Sequence, residues 1–402
     1  MTRVLPPLPS RPLTPKLEAA RARALEAAAA ARELQLKSEV KMTELSGWEY
    51  GTRTNEMAKV LGGDELGALS KLAAAGGMLP EKTDLATLAA SFTAASAGAT
   101  YSPLDKQVLL LADQRRDGSL HPLLTHEFVH ALQDQHFDLL GLLLTRPYNF
   151  DRTEAAFAVV EGDAVNVQRR LEGGDAWTRR SLDDILRQED EHFSEYRREV
   201  GELFPPLLTE TFVFRYRDGV RLVESVRRSR GQRGVDDLFR RPPLSSEQVL
   251  HPEKYLSNEA PREVSVDAAG FIESGWESVT STPLGEIGVR GVLMAGMPVK
   301  DATRAAAGWG GDQACLFERA RTLPLFVWKT AWDKREDAAE FFRAYNQMLS
   351  RRGNASSKQI SDARVAWREA GRTTVIERDG DKVIIIRGAA ADVDTALDLA
   401  RR

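Results

Sequence analysis

The sequence predicts a mixed α+β protein, with a mainly helical lobe that contains a short β-hairpin and a C-terminal antiparallel α+β lobe. Capped runs of helix-forming residues fill most of the N-terminal half. A short strand-turn-strand pattern interrupts them near residue 100, and strand-like segments dominate about the last hundred residues. The predicted regions are a flexible Pro-rich tail (1–14), an N-terminal helical region (15–90), a central domain (91–300) and the C-terminal lobe (301–402).

The N-terminal region begins with a helix of about five turns. Thr14 is suited to cap it, Pro15 suits its first position, and an Ala-rich run follows. The segment "LQLKSEVKMTELS" then alternates apolar and polar residues as a strand does. Two further helices are expected over 49–61 and 64–74, because glycine clusters follow each of them.

A predicted hairpin comes next, with strands over 99–102 and 107–112 joined by a Pro-Leu-Asp-Lys turn. It is followed by a helix from about Pro122 and by another that Asp151 opens. A strand placed just before a functional helix is a candidate for pairing with an extended peptide.

The C-terminal segments "DQACLFER", "LPLFVWKTAW", "RTTVIERDG" and "DKVIIIRG" are typical of strands, and the Asp379-Gly380 turn joins the last two. Helices are expected over 334–349 and 391–401. We expect Trp328 and Trp332 to lie in the core of this lobe, and "GWGGD" at 308–312 to form a tight turn into its sheet.

Composition argues against several classes of protein. The net charge of −4, from 55 basic and 59 acidic residues, gives no general attraction to nucleic acid or to an anionic membrane. The single cysteine, Cys315, excludes an intrachain disulfide and a Cys-rich zinc site. No segment has the apolar length of a membrane span, and the N-terminus lacks the apolar core of a signal peptide. As written, the chain is expected to be cytoplasmic.

The chemistry-bearing segment is "LLTHEFVHALQDQHFDLL", which holds three of the chain's six histidines. His126, Glu127 and His130 form H-E-x-x-H. Residues four apart share one face of a helix, so both imidazoles can bind one ion while Glu127 stands beside them as a base. Asp134, one turn further on, could orient His130 or be an ordinary surface carboxylate.

A catalytic zinc usually takes three protein ligands and a water, so a third ligand is needed. His136 is one candidate, but Gln133 stands where the chain would need a glycine to turn sharply. In a continuous helix His136 would lie about 9 Å along the axis and some 120° around it from His130. Glu161, 31 residues after His130 in an otherwise apolar helical stripe, is the favoured alternative.

The arrangement of H-E-x-x-H on one helix and a glutamate on a later helix resembles the gluzincin zinc peptidases. The stretches "HEFVHALQDQHFDL", "VVEGDA", "PPLSSEQVLHPEKY" and "GWGGD" resemble a group of bacterial zinc metallopeptidases that are often exported or lipid-anchored. This resemblance implies that 91–300 is a zincin-like metallopeptidase domain that binds Zn²⁺ and acts on a peptide or protein. It also implies export, with a leader that is absent from the sequence as written.

The predicted ligands are therefore His126, His130 and Glu161, and the predicted catalytic residues are Glu127, His251 and Tyr255. Glu127 would serve as general base, and the two residues of "VLHPEKY" are candidate donors to the oxyanion of the transition state. His251 could equally be a loop histidine bonded to backbone. The alternative function is a non-catalytic protein, derived from a peptidase fold, in which zinc ties two helices together for binding or assembly.

Overall fold

The computed structural model describes residues 5, 7–96, 98–112, 120–144, 147–201, 203–352, 355–369 and 371–402, without the side chains of 92–96. It has the predicted mixed α+β architecture, including an antiparallel sheet near the C-terminus. Of the described helices, none is long and apolar enough to cross a membrane.

The first helix, α1 (Pro15–Arg32), is capped as predicted, because the Thr14 side chain accepts a hydrogen bond from the Leu17 N–H. Part of the segment that we predicted to be a flexible tail makes contacts: Leu8 and Leu13 are partly buried, and Arg11 forms an ion pair with Glu49. Residues 1–4 and 6 of that segment lie outside the described residues.

A three-stranded sheet lies beside α1. Its strands β1 (Lys41–Leu45), β2 (Ala99–Ser102) and β3 (Gln107–Leu111) have the order β1-β3-β2, with β1 parallel and β2 antiparallel to β3. The predicted strand and hairpin are therefore confirmed. Two helices lie between β1 and β2 in the chain, α2 (Gly47–Ala75) and α3 (Leu85–Ser96), and α2 is broken where Gly63 adopts a φ of 50°.

Two long helices follow the hairpin and carry the predicted metal ligands. The first, α4 (Leu120–Phe137), continues without interruption through Gln133, as the sequence predicted. After the short α5 (Leu139–Leu143), α6 (Phe150–Thr178) begins at the Asn149 cap and is broken at Gly174. Apolar side chains of α1, α4, α6 and the small sheet share one buried cluster, which fixes these elements relative to one another.

The remaining elements complete the helical part and the C-terminal sheet. In chain order they are α7 (Leu182–Val200), α8 (Pro206–Val213), a π-helix (Phe214–Asp218), α9 (Gly219–Arg240), α10 (Ser246–Leu250), α11 (Pro252–Leu256), α12 (Ala268–Glu273), β4 (Glu277–Thr282), α13 (Gly285–Leu293), α14 (Val299–Ala306), β5 (Trp309–Glu318), β6 (Leu325–Trp332), α15 (Arg335–Ser350), β7 (Ser356–Ser361), β8 (Arg364–Glu369), β9 (Arg372–Asp379), β10 (Lys382–Gly388) and α16 (Val393–Ala400).

The C-terminal sheet has the strand order β4-β5-β6-β10-β9-β8-β7, and all neighbouring strands are antiparallel. Side chains of α15 cover one face, and those of α12 and α16 cover the other. Trp328 and Trp332 are buried against Phe341, as expected for core residues. The sheet begins with β4, so it extends across the boundary that was predicted at residue 301.

The "GWGGD" segment joins the sheet to the helical part. The buried Asp312 carboxylate accepts hydrogen bonds from the N–H groups of Leu284 and Gly285 and from the indoles of Trp309 and Trp328. Four donors converge on one carboxylate here. Of the predicted turn, only Gly308 lies in a turn, with a φ of 81°, because Trp309 to Asp312 already belong to β5. The segment still has a structural role, because Asp312 fixes the start of α13 against β5 and β6.

Candidate metal centre

Three side chains from α4 and α6 meet in the interior of the helical part. His126 and His130 are one turn apart on α4, and Glu161 faces them from α6, so their ligand atoms all lie within 4.8 Å of one another. Both histidines are buried and Glu161 is partly buried. The structure thus brings together the three residues that were predicted as ligands.

The ligand atoms form a nearly equilateral triangle. The two imidazole Nε2 atoms are 3.1 Å apart, and each lies 3.3 Å from Glu161 Oε2. Ligands at two vertices of a tetrahedral zinc site, each about 2.0–2.1 Å from the ion, are separated by roughly 3.3 Å. Two nitrogens and one oxygen at these separations fit three positions of such a site.

Electrostatics around the triangle favours a cation. Burial disfavours a charged carboxylate, yet the two imidazoles hold the pKa of Glu161 well below its usual range. Burial also disfavours an imidazolium, but the carboxylates of Glu161 and Glu127 raise the pKa of His130 to about 9. The field that favours positive charge on His130 would favour a metal cation between the same groups.

Glu127 lies beside the triangle and is held by the small sheet. Its Oε2 accepts a hydrogen bond of 2.6 Å from the backbone N–H of Tyr101 in β2. Burial raises the pKa of the Glu127 carboxyl, and the charge of Glu161 adds to the effect. The structure therefore places a buried carboxyl next to the two imidazoles.

Asp134 does not orient His130, as one prediction suggested, and it is not a surface carboxylate either. It is buried, and it accepts hydrogen bonds of 2.7 Å from the Tyr101 hydroxyl and from the Lys106 ammonium, and one of 3.1 Å from the Leu139 N–H. Tyr101 belongs to β2 and Lys106 to the following turn. Asp134 therefore fastens the hairpin to α4 beside Glu127.

His136 lies away from the triangle, as expected for a helix that continues past Gln133. Its Nε2 is 2.7 Å from the backbone carbonyl oxygen of Gln35, in the segment after α1. His136 is partly buried, and this contact joins the end of α4 to the segment after α1.

Tyr216, which the sequence did not suggest, lies against His126 and Glu161. Its ring stacks at 6.2 Å from the His126 ring, and its hydroxyl is within hydrogen-bonding reach of the Glu161 carboxylate. Burial and the charges of Glu161 and Glu127 raise its pKa well above the ordinary value, so the hydroxyl keeps its proton. It belongs to the π-helix, a wider helical turn often found at functional sites.

Close backbone contact brings this π-helix to the site. A Cβ atom on Gly162 would lie 2.2 Å from the Gly219 carbonyl carbon, and one on Gly219 would lie 2.2 Å from the Ala158 oxygen. The two glycines therefore allow α6 and the start of α9 to touch, which carries the π-helix toward Glu161. This explains why a glycine follows the ligand in "VVEGDA".

A partly buried ion pair also holds the π-helix. The Arg215 guanidinium binds both oxygens of Glu154 at 2.7 Å and lies 4.2 Å from the Phe157 ring centroid. Glu154 and Phe157 precede Glu161 on α6, so the pair fixes the π-helix along the helix that carries the third ligand.

The other two residues predicted to be catalytic have partners elsewhere. His251 Nε2 lies 3.0 Å from Glu286 Oε2, and the Tyr255 hydroxyl donates a hydrogen bond to the Arg241 carbonyl. The preceding helix α10 contacts the first turn of α6, where Ser246 N–H binds Asp151 at 2.8 Å. Ten residues, or about 15 Å of helix, separate Asp151 from Glu161. These contacts fasten α10 and α11 to α9 and α13, so they favour a structural role for "VLHPEKY" over the predicted catalytic one.

Comparison with known proteins concerns the other end of the chain. Residues 274–398 match a family described as "Domain of unknown function (DUF8575)", and this range covers β4 to most of α16. No curated protein and no solved structure matches the chain. The match starts close to the first strand of the C-terminal sheet, and it does not include the residues of the candidate metal centre.

Proposed function

We propose that this chain is a zinc-dependent peptidase with a zincin-like catalytic lobe. The observation that carries the proposal is the buried triangle of His126, His130 and Glu161 with Glu127 beside it. The donor set, two imidazoles and one carboxylate, is one that catalytic zinc sites use. A purely structural zinc would have no need of a buried carboxyl next to its ligands.

Each side chain has a defined task in the proposed hydrolysis. Bound zinc would supply the Lewis acid that polarises the scissile carbonyl and acidifies water. Glu127 would take a proton from the attacking water and deliver it to the leaving amine. Tyr216, rather than His251 or Tyr255, would donate its hydroxyl proton in a hydrogen bond to the oxyanion.

The edge of the small sheet supports a peptide as the substrate. In the described part of the chain β2 is an edge strand, and Tyr101 points its N–H away from β3 toward Glu127. In a strand the carbonyl of a residue points to the same side as its N–H, so the Tyr101 carbonyl also faces away from β3, beside the base that holds the N–H. An extended peptide that pairs with this edge would lie next to Glu127 and the ligands.

The test compares zinc content and cleavage of a broad peptide library for the native chain and for Glu127→Gln. We expect both to bind one zinc, and the variant to lose roughly 10²- to 10⁴-fold in cleavage rate, which is the usual contribution of a general base. Glu253→Gln, at an exposed carboxylate, is the matched control. Zinc binding with equal inactivity of the native chain and Glu127→Gln would favour the non-catalytic binding protein instead.

A further inference from the structure

A buried relay of hydrogen bonds leads from His130 to the N-terminal helix. His130 Nδ1 lies 2.9 Å from Gln133 Oε1, and Gln133 Nε2 lies 2.9 Å from Asp163 Oδ2 and 3.1 Å from the Val160 carbonyl oxygen. The same Asp163 oxygen accepts a hydrogen bond of 2.6 Å from Arg32 Nε. Gln133 and Arg32 are completely buried, and Asp163 nearly so.

The chemistry of these partners settles which atom of the amide faces His130. Both partners of Gln133 Nε2, the Val160 carbonyl and the Asp163 carboxylate, only accept hydrogen bonds. The NH₂ end of the amide must therefore point to them, and the oxygen must point to His130. Since that oxygen only accepts, His130 Nδ1 carries a proton, which leaves Nε2 as the nitrogen that would bind a metal in the triangle.

We propose that Gln133 is a positioning residue that sets the proton position and ring orientation of His130 for metal binding. Asp163 fixes Gln133, and Arg32 fixes Asp163, so helix α1 is part of the support of the metal centre. Arg32 is suited to this task because it also binds Asp236 of α9 at 2.8 Å. One guanidinium thus ties α1 to both α6 and α9.

This proposal rests on the proposed metal centre but predicts something separate from cleavage. A hydrogen bond to the outer nitrogen of a ligating histidine typically changes metal affinity by 10- to 100-fold when it is removed. The residue at the position where a tight turn would require glycine therefore has its own function: it keeps α4 continuous and supports the second ligand.

The test uses Gln133→Met, which keeps the length of the side chain and removes its three hydrogen bonds. Gln248→Met is the matched control, because Gln248 is also buried and bonds the Leu244 N–H and the Glu259 carbonyl far from the triangle. Two quantities are measured: the Kd for Zn²⁺ by competition with a chelator, and the exchange-protected Nδ1–H proton resonance of His130.

We expect Gln133→Met to raise the Kd by about 10- to 100-fold and to lose the protected Nδ1–H resonance. Gln248→Met should change neither, although it lowers thermal stability. A folded Gln133→Met chain with the native Kd and the native resonance would overturn the proposal. If the native chain binds no zinc, the proposed function fails, while the resonance of the metal-free chain still decides whether Gln133 fixes the proton.

The part assigned to Arg32 has its own variants. Arg32→Met leaves Asp163 buried without its cation, so it should raise the zinc Kd several-fold in a chain that still folds. Should that variant not fold, Arg32→Lys keeps the charge but cannot bond Asp163 and Asp236 with the same geometry, and it should show a smaller rise. An unchanged Kd in a folded variant would contradict the anchoring role.

Discussion

The backbone N–H of Tyr101 donates a 2.6 Å hydrogen bond to the carboxylate of Glu127. The proposed base is thus held by the edge strand on which we expect the substrate to pair. Asp134 sets this relationship, because it binds the Tyr101 hydroxyl and Lys106 at once. The proposed substrate edge and the proposed base are therefore fixed to the same helix, which also carries two of the proposed ligands.

Loss of the Asp134 charge should weaken the attachment of β2 to α4. Asp134→Asn removes the charge that Lys106 and Tyr101 share, and the loss of charge-assisted hydrogen bonds costs roughly 1.5–3 kcal/mol. We expect the Tyr101 amide to exchange with solvent at least about tenfold faster. Amide hydrogen exchange measures this, and Asp237→Asn, at a carboxylate that pairs with Arg240 and Arg241, is the control. Native-like protection of the Tyr101 amide in Asp134→Asn would show that Asp134 does not hold β2 against α4.

Tyr216→Phe tests the assignment of the oxyanion donor. Loss of one such donor typically lowers kcat by 10²- to 10³-fold. We expect that loss with unchanged zinc content, because the hydroxyl is not one of the three ligands. Tyr255→Phe should leave kcat close to native, since that hydroxyl bonds the Arg241 carbonyl. The kcat of both variants is measured by steady-state kinetics on a cleaved library peptide. A loss of kcat in Tyr255→Phe with a native kcat in Tyr216→Phe would instead support Tyr255, as the sequence suggested.

Gly162→Ala tests the contact that brings the π-helix to Glu161. The added Cβ would lie 2.2 Å from the Gly219 carbonyl carbon, so the two helices must separate. We expect a loss of about 1–3 kcal/mol in the free energy of unfolding. Gly51→Ala, in α2 with no atom within 4 Å of the new Cβ, should be neutral or slightly stabilising. Denaturant unfolding gives the free energy of unfolding of both variants. An equal change in the two would show that the contact between Gly162 and Gly219 is not tight.

The buried Asp151 carboxyl, which lies outside the metal centre, should make the stability of the protein depend on pH. Burial raises the pKa of its carboxyl to about 8 from the ordinary 3.8, despite the hydrogen bonds from Ser246. A folded-state pKa above the unfolded one means that the stabilisation is fully present below about pH 4. It is lost as the pH rises toward 8, by up to about 1.4 kcal/mol per unit.

Asp151→Asn removes that titration while its side-chain oxygen can still accept from Ser246 N–H. Between pH 4 and 8 the free energy of unfolding should therefore fall for the native chain relative to Asp151→Asn. Denaturant unfolding at several pH values checks this, with Asp175→Asn at an exposed carboxylate as the control. A constant difference between Asp151→Asn and native protein across that interval would show that Asp151 does not titrate as described.

Local patterns were enough to predict the elements that carry the ligands. Helical periodicity placed His126 and His130 on one face, and the absence of a glycine at position 133 correctly predicted that α4 continues and carries His136 away. The carboxylate in an apolar stripe pointed to Glu161, which the structure places within reach of both histidines. Each of these inferences depends on a spacing along a single helix.

The residues that the sequence did not predict come from distant parts of the chain. Tyr216 reaches the site through a π-helix and through the contact of Gly162 with Gly219, neither of which leaves a periodic signal. Arg32 ends α1, three helices before α4 in the chain, and only the packing of the helices shows that it binds Asp163 behind His130. The catalytic roles predicted for His251 and Tyr255 rested on residue type, which cannot show that α10 packs against the first turn of α6.

The most direct test of the central claim is the zinc content of two variants, Glu161→Ala and His136→Ala, measured beside the native chain. The account predicts one zinc per chain in the native protein and in His136→Ala, and loss of the metal in Glu161→Ala. Zinc retained by Glu161→Ala and lost from His136→Ala would contradict the site formed by α4 and α6.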